Sequence, residues 1–167
     1  MTDRWRGRTS VLAIALSALL FGAVAGGAVL GRSGGALRIE LPDGTTVADV
    51  DLPASGAFAL RYRNSLYGTL AEERFEVMPD GSIRLVELAA EQLAVLEEYY
   101  AIDEAAQPTA TGWWTATPAH VPELETLTVA ATDRGERTLL VDGRPPLDLT
   151  RLVDDRAPSI VLVPVDR

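Results

Sequence analysis

Two arrangements of apolar residues divide this chain into an N-terminal segment and a longer body. Residues 9–30 form an uninterrupted run of 22 positions without a charged side chain. As a helix, such a run is long enough to cross about 30 Å of hydrocarbon. After it, short apolar stretches alternate with clusters of turn residues. We therefore predict one N-terminal transmembrane segment followed by a β-rich domain.

The residues around the apolar run predict its orientation. Three arginines precede it: Arg4, Arg6 and Arg8. Because positive charge favours the cytoplasmic side, residues 1–8 are expected to stay in the cytoplasm while the body crosses the membrane. We expect residues 31–36 to form a flexible linker and residues 37–167 to form the exported domain. Ala23-Val24-Ala25 also fits a signal-peptide cleavage site, so an anchor and a leader cleaved after Ala25 are both open.

Turn residues punctuate the exported part and predict its strands. Asp-Gly and related clusters, which favour tight turns between antiparallel strands, occur at residues 42–44, 79–81, 133–135 and 142–143. Eight short segments around them are predicted as strands: 37–41, 45–52, 58–64, 71–78, 83–88, 124–131, 137–141 and 160–163. Many short strands with regular turns are typical of all-β domains. We predict a mostly β fold, either a single small β-sandwich or a partly open barrel built of antiparallel hairpins.

Two of these strands have a clear apolar face. The positions that share it are Phe58, Leu60, Tyr62 and Asn64 on the first strand, and Ala71, Glu73, Phe75 and Val77 on the second. On such a face an unpaired charge is costly, so Glu73 needs a partner. Because six residues separate the strands, we predict a hairpin that brings Asn64, Ser65 and Glu73 into a small polar pocket. Three roles are open for this pocket: fixing the loop, binding a small ligand, and catalysis.

The segment from residue 89 to residue 105 gives conflicting signals. Its content of Ala, Glu, Leu and Gln favours a helix. One face of that helix would carry Ala89, Leu93, Leu96 and Tyr100. Read as a strand, the same segment would continue the series of hairpins. A short helix and a strand are therefore both open for residues 89–105.

Composition narrows the classes of function. The chain has no cysteine, which excludes disulfides, thiolate metal sites, a cysteine nucleophile and a lipoprotein anchor. All 15 basic residues are arginine, which is typical of a GC-rich bacterial genome. From residue 33 onward there are 11 arginines and 23 acidic residues, a net charge of −12. We therefore expect no nucleic-acid partner.

Few residues are suited to catalysis or metal binding. His120 is the only histidine and lies in a predicted loop, so neither a Ser-His-Asp set nor a zinc site is expected. We predict no catalytic residue, no metal and no cofactor. Trp113 and Trp114 are adjacent, so on a strand they would point to opposite faces. One of them is the best candidate for contact with a partner.

Residues 58–88 resemble a family of small exported bacterial domains of unknown function that are often encoded beside TRAP-type (tripartite ATP-independent periplasmic) transporter permeases. The family pattern is an aromatic-apolar strand ending in His-Ser, a short loop and a strand that bears a glutamate. Ser65 and Glu73 match this pattern, whereas Asn64 stands where the family usually has histidine. Similarity at Gly112-Trp113-Trp114 and in the last predicted strands extends the resemblance to about residues 57–164.

The resemblance implies attachment to a solute uptake system, with a transporter permease or a solute-binding protein as partner. Combined with the N-terminal segment, it predicts a single-pass protein of the bacterial cytoplasmic membrane with its C-terminal domain outside. If the leader is cleaved, the domain is secreted. The predicted function is a non-enzymatic, membrane-tethered accessory domain. The alternative is a small-molecule binding or enzymatic domain that uses Asn64, Ser65 and Glu73.

Overall fold

The computed structural model describes residues 35–100, 102, 105–118, 123–154 and 156–166. The predicted transmembrane segment, residues 9–30, and the single histidine, His120, lie outside the described residues. Among the residues described, no helix combines the length and the apolar character needed to span a bilayer. The fold is therefore that of the body that follows the predicted anchor.

The described residues form eleven strands, one π-helical segment and one short α-helix. The strands are β1 (Ala36–Glu40), β2 (Thr46–Asp51), β3 (Ala57–Arg63), β4 (Leu70–Val77), β5 (Ile83–Ala90), β6 (Gln107–Pro108), β7 (Trp114–Ala116), β8 (Leu127–Ala130), β9 (Thr138–Leu140), β10 (Leu147–Asp148) and β11 (Ser159–Val165). The π-helical segment is Val95–Tyr99, and α1 is Leu149–Val153. All eight predicted strands are present, with ends that differ by at most three residues. Strands β6, β7 and β10 were not predicted, because two or three residues are too few to show an alternating pattern.

The strands form two antiparallel sheets. One has four strands in the order β2-β1-β11-β8, and the other has seven in the order β10-β9-β3-β4-β5-β7-β6. No strand in the described part of the chain belongs to both sheets, so the two do not close into one barrel. The predicted mostly β, antiparallel class is confirmed. The arrangement is sandwich-like, which is one of the two architectures that the sequence left open.

The main core lies between the two sheets. Its members include Leu37, Ile39, Ile160 and Leu162 from the four-stranded sheet, and Phe58, Leu60, Phe75 and Leu139 from the seven-stranded sheet. The rings of Phe58 and Phe75, opposite each other on β3 and β4, stack with centroids 5.2 Å apart. Each buried side chain of this size stabilises the fold by roughly 1.5–3 kcal/mol. In a chain without cysteine, this packing takes the place of disulfides.

Three of the four predicted turns join neighbouring strands of one sheet. Gly44, Gly81 and Gly143 adopt positive φ angles there. The aspartate before each of the first two glycines accepts a hydrogen bond from the backbone N–H two residues further on, as aspartate commonly does in turns. The fourth turn, residues 133–135, leads from β8 in one sheet to β9 in the other. It is therefore a crossover between sheets and not a hairpin.

The segment with conflicting signals is first strand and then helix. β5 continues to Ala90 because Ala89 and Ala90 pair with both β4 and β7. The π-helical segment follows, and its buried residues Val95 and Leu96 enter a second apolar cluster. The other buried members of that cluster are Tyr62, Ala71, Leu88, Ala90 and Ala116. Both readings of residues 89–105 are therefore correct for part of the segment.

The two ends of the sandwich are made of different segments. We call the end at which the described chain begins, at Gly35, the proximal end. Gly35 lines the same surface depression there as Gly56, which precedes β3. Because β3 runs away from this end, residues 64–69, which connect β3 to β4, lie at the opposite end. Residues 91–100 join them there, since Glu91 N–H donates a 3.0 Å hydrogen bond to the carbonyl of Leu70. We call residues 64–69 and 91–100 the distal tip.

Candidate functional site

Glu73 lies on the apolar face of β4, and two distant parts of the chain meet it there. The Tyr100 hydroxyl, just after the π-helical segment, donates a hydrogen bond to Glu73 Oε1 at 2.7 Å. Arg137, just before β9, places Nη1 3.7 Å from Glu73 Oε2. The side chains of Glu73 and Arg137 each keep 21% of their exposure. Glu73 therefore has the partners that a carboxyl group on an apolar face requires, and they are Tyr100 and Arg137.

A second tyrosine completes the group, which we call the Glu73 cluster: Glu73, Tyr62, Tyr100 and Arg137. The hydroxyl oxygens of Tyr62 and Tyr100 lie 2.6 Å apart. The Arg137 guanidinium carbon lies 4.8 Å from the centroid of the Tyr62 ring, an arrangement that cation–π attraction favours. Each member of the cluster is thus in contact with another member.

Burial sets the protonation of the two hydroxyl groups. Loss of solvation raises the pKa of Tyr62 to about 12, although the hydrogen bond with Tyr100 acts in the opposite direction. Loss of solvation, and next the neighbouring Glu73, also raise the pKa of Tyr100 above its ordinary value. Both hydroxyls, which like ordinary tyrosines are protonated near neutral pH, therefore stay protonated to higher pH, because burial disfavours the phenolate. They act as hydrogen-bonding groups that tie residues 91–100 to the seven-stranded sheet.

Asn64 is buried, with 3% exposure, and it holds the loop that follows it. Its side-chain oxygen accepts hydrogen bonds from the backbone N–H groups of Leu66 at 3.0 Å and Tyr67 at 3.1 Å. The Ser65 side chain is exposed. Glu73 pairs with a residue of β3 four positions before Asn64, which is roughly 13 Å along a strand. The hydrogen bonds described for Asn64, Ser65 and Glu73 therefore do not join them into the predicted polar pocket.

The outer face of the seven-stranded sheet carries a chain of ion pairs centred on Glu72. This residue is only 6% exposed, although alternation alone would place it in solvent. Its Oε1 accepts a hydrogen bond from Arg61 Nη2 at 2.6 Å, and its Oε2 accepts one from Arg74 Nη2 at 3.1 Å. Arg74 also pairs with Glu87 on β5. The ion pairs link three neighbouring strands beside a surface depression of about 490 Å³.

Trp113 and Trp114 have different surroundings, and both are half-buried. Trp114, in β7, packs against the second apolar cluster. The ring of Trp113 lies with its centroid 5.9 Å from the Arg61 guanidinium, which places it on the outer face of the sheet. The large apolar side chains that are exposed in the described residues are instead Leu66, at 72%, and Tyr99, at 59%.

Comparison with known proteins gives no family for this fold. No protein-family model matches the chain. No curated protein and no solved structure matches it either. The resemblance of residues 58–88 to TRAP-associated domains therefore stays a prediction.

The chemistry available to the Glu73 cluster is hydrogen bonding and ion pairing. Within the described residues, no group of three His, Cys, Asp or Glu side chains is placed to hold a metal ion. The alternation pattern identified Glu73 but not its two partners, Tyr100 and Arg137. It also placed Tyr62 on the same apolar face, without indicating its contact with Tyr100. Arg137 lies 64 residues from Glu73 along the chain, and no local pattern connects them.

Proposed function

We propose that this chain is an accessory domain without enzymatic activity, tethered to the outer side of a bacterial cytoplasmic membrane. One observation carries the proposal: the 22-residue charge-free segment, with arginines on its N-terminal side, is followed after residues 31–35 by the first strand of a folded body. If the segment stays in the bilayer, it tethers the body to the membrane. Cleavage after Ala25 would instead release the same body as a secreted domain.

The arrangement around Glu73 supports a role without catalysis. A general base must be free to take a proton from a substrate, whereas Glu73 is engaged by Tyr100 and Arg137. The two tyrosine hydroxyls are protonated at neutral pH, and their raised pKa values make the phenolate form still less accessible. We therefore assign to the Glu73 cluster the role of fixing residues 91–100 on the sheet.

We further propose that the accessory role serves a TRAP-type solute transporter, with the permease or the solute-binding protein as partner. This step is supported by the resemblance of residues 58–88, where Ser65 and Glu73 match the family pattern. The alternative, a small-molecule site at Asn64, Ser65 and Glu73, has less support. Hydrogen bonds of Asn64 hold its own loop, and those of Glu73 run to other elements.

A topology reporter tests the tethered location. A reporter enzyme that is active only outside the cytoplasm, fused after Arg167, should be active in the full-length chain. It should lose activity when residues 9–30 are deleted. Reporter activity that does not depend on residues 9–30, or its absence in the full chain, would contradict the tethered location.

The transporter link is tested by crosslinking in native membranes followed by purification of the full chain. We expect recovery of a transporter permease or of a solute-binding protein. A variant with Arg4, Arg6 and Arg8 replaced by glutamate, which should disturb the orientation of the segment, serves as control. If the full chain yields no transporter component above this control, the link fails while the location proposal stands.

A further inference from the structure

The loop at residues 64–69 carries an exposed leucine on a backbone that is held by hydrogen bonds. Asn64 accepts the hydrogen bonds from Leu66 and Tyr67 described above. Arg63 Nη1 donates a 2.9 Å hydrogen bond to the carbonyl of Gly68, across the same loop. A loop backbone that is fixed before binding loses less conformational entropy when it binds. Asn64 and Arg63 thus fix the backbone that carries Leu66, whose side chain is 72% exposed.

Tyr99 is held at the same end of the molecule. The Tyr67 hydroxyl donates a hydrogen bond to Glu98 Oε2, so the residue after Leu66 is bonded to the residue before Tyr99. A single exposed apolar residue is ordinary on a protein surface. Here, however, the exposed large apolar residues of the described chain number two, and both lie on segments that are bonded to each other. We call these two exposed side chains, Leu66 and Tyr99, the apolar centre of the distal tip.

The segment that carries Tyr99 is also strongly acidic. Glu91, Glu97 and Glu98 are exposed on the second segment of the tip. Residues 91–106 contain five acidic residues and no basic residue. The arginine nearest to the loop, Arg63, is already paired with Glu136. An acidic rim around an apolar centre steers a basic partner and fixes its orientation.

We propose that the distal tip docks onto a protein surface that is basic and contains an apolar recess. Leu66 and Tyr99 enter the recess, and Glu97 and Glu98 face its lysine or arginine side chains. The tip lies opposite the proximal end, where the described chain begins. The proposal rests on the proposed function only for the compartment in which the partner is sought.

Site-specific photocrosslinking of the full chain in its native cells tests the apolar contact. A photoreactive amino acid replaces Leu66 or Tyr99, one position at a time. Thr126 is the control position, because it is exposed and lies outside the distal tip. It is two residues from Leu124, which pairs with Ile83 at the start of β5. We expect one polypeptide to be captured from both tip positions and not from the control position. The captured peptide should carry an excess of lysine and arginine.

Charge is tested with Glu97→Arg against Glu125→Arg. Both glutamates are exposed, and both substitutions change the net charge by the same amount. Glu97→Arg should reduce the adduct from position 66 by about fivefold or more, as should salt at about 0.5 M, because exposed charges are screened. Glu125→Arg should leave the adduct unchanged.

The proposal is overturned by any of four results. These are no adduct above the control position, an adduct with lipid, a captured segment without basic excess, and equal loss of adduct in the two charge variants. Failure of the proposed function gives a different result. In that case a topology reporter would place the body in the cytoplasm while the tip adducts persist.

Discussion

Replacing Tyr100 with phenylalanine removes a single hydroxyl group from the point where residues 91–100 meet the seven-stranded sheet. Two hydrogen bonds are lost, one to Glu73 at 2.7 Å and one with Tyr62 at 2.6 Å. Of the two side-chain partners described for Glu73, Arg137 then remains, with its Nη1 3.7 Å from Oε2. The ring of residue 100 still packs in the second apolar cluster. The change therefore tests the polar part of the contact alone.

The expected decrease in the free energy of unfolding follows from the two lost hydrogen bonds. A hydrogen bond to a charged group contributes about 1.5–3 kcal/mol, and a neutral one about 0.5–1.5 kcal/mol. Because the Glu73 side chain keeps 21% exposure, water replaces part of the lost contact. We expect the free energy of unfolding to fall by about 2 kcal/mol. For a body of this size, that loss corresponds to a decrease in Tm of roughly 5–10 °C.

Urea unfolding of the full chain in detergent, followed by the fluorescence of its three tryptophans, measures this loss. The transition midpoint should decrease while its slope stays the same. Tyr99→Phe is the matched control, because Tyr99 is exposed and surface changes usually cost less than about 0.5 kcal/mol. If Tyr100→Phe lowers the free energy of unfolding no more than Tyr99→Phe does, the Glu73 cluster does not hold residues 91–100 on the sheet.

Three further changes test other parts of the structure. Asn64→Ala removes the acceptor of two backbone N–H groups and should lower the free energy of unfolding by about 1–3 kcal/mol. Ser65→Ala, at an exposed position, should be nearly neutral. Equal unfolding midpoints would contradict the role of Asn64 in holding the loop. Glu72→Ala leaves two arginines without their shared acceptor. In the same urea assay it should lower the free energy of unfolding by about 1–3 kcal/mol more than Glu76→Ala does. A smaller difference would show that the ion pairs are dispensable. Because the pKa of Tyr62 is raised to about 12, the folded state keeps a proton that an unfolded tyrosine loses near pH 10, so stability should fall as the pH rises from about 10 to about 12. Tyr62→Phe should reduce that fall, and an unchanged pH dependence of unfolding would argue against the burial of this hydroxyl.

The strands and several turns could be predicted from local pattern because their causes are local. Alternation along β3 and β4 indicated a buried face, and the structure pairs Phe58 with Phe75 and Leu60 with Glu73 across that hairpin. Asp-Gly turns indicated where the chain reverses, since glycine adopts the positive φ that such turns require. The crossover at residues 133–135 could not be distinguished in this way, because a turn does not reveal which sheet the next strand joins.

The partners of buried charges could not be predicted, because they come from distant parts of the chain. Alternation showed that Glu73 needs a partner, and Asn64 was the nearest polar residue in sequence on the neighbouring strand. The observed partners, Tyr100 and Arg137, arrive through the π-helical segment and through β9. Glu72 shows the converse: alternation predicts exposure, yet Arg61 and Arg74 lie close around it and exclude solvent.

The location of the body is tested most directly by cysteine labelling in intact cells. Because the chain has no cysteine of its own, any label on it reports the introduced thiol. Thr126→Cys places a thiol on an exposed loop, and Thr2→Cys places one in the predicted cytoplasmic segment. We predict that a membrane-impermeant maleimide labels position 126 in intact cells, and position 2 only after lysis. Protection of position 126 until lysis would contradict an extracytoplasmic body.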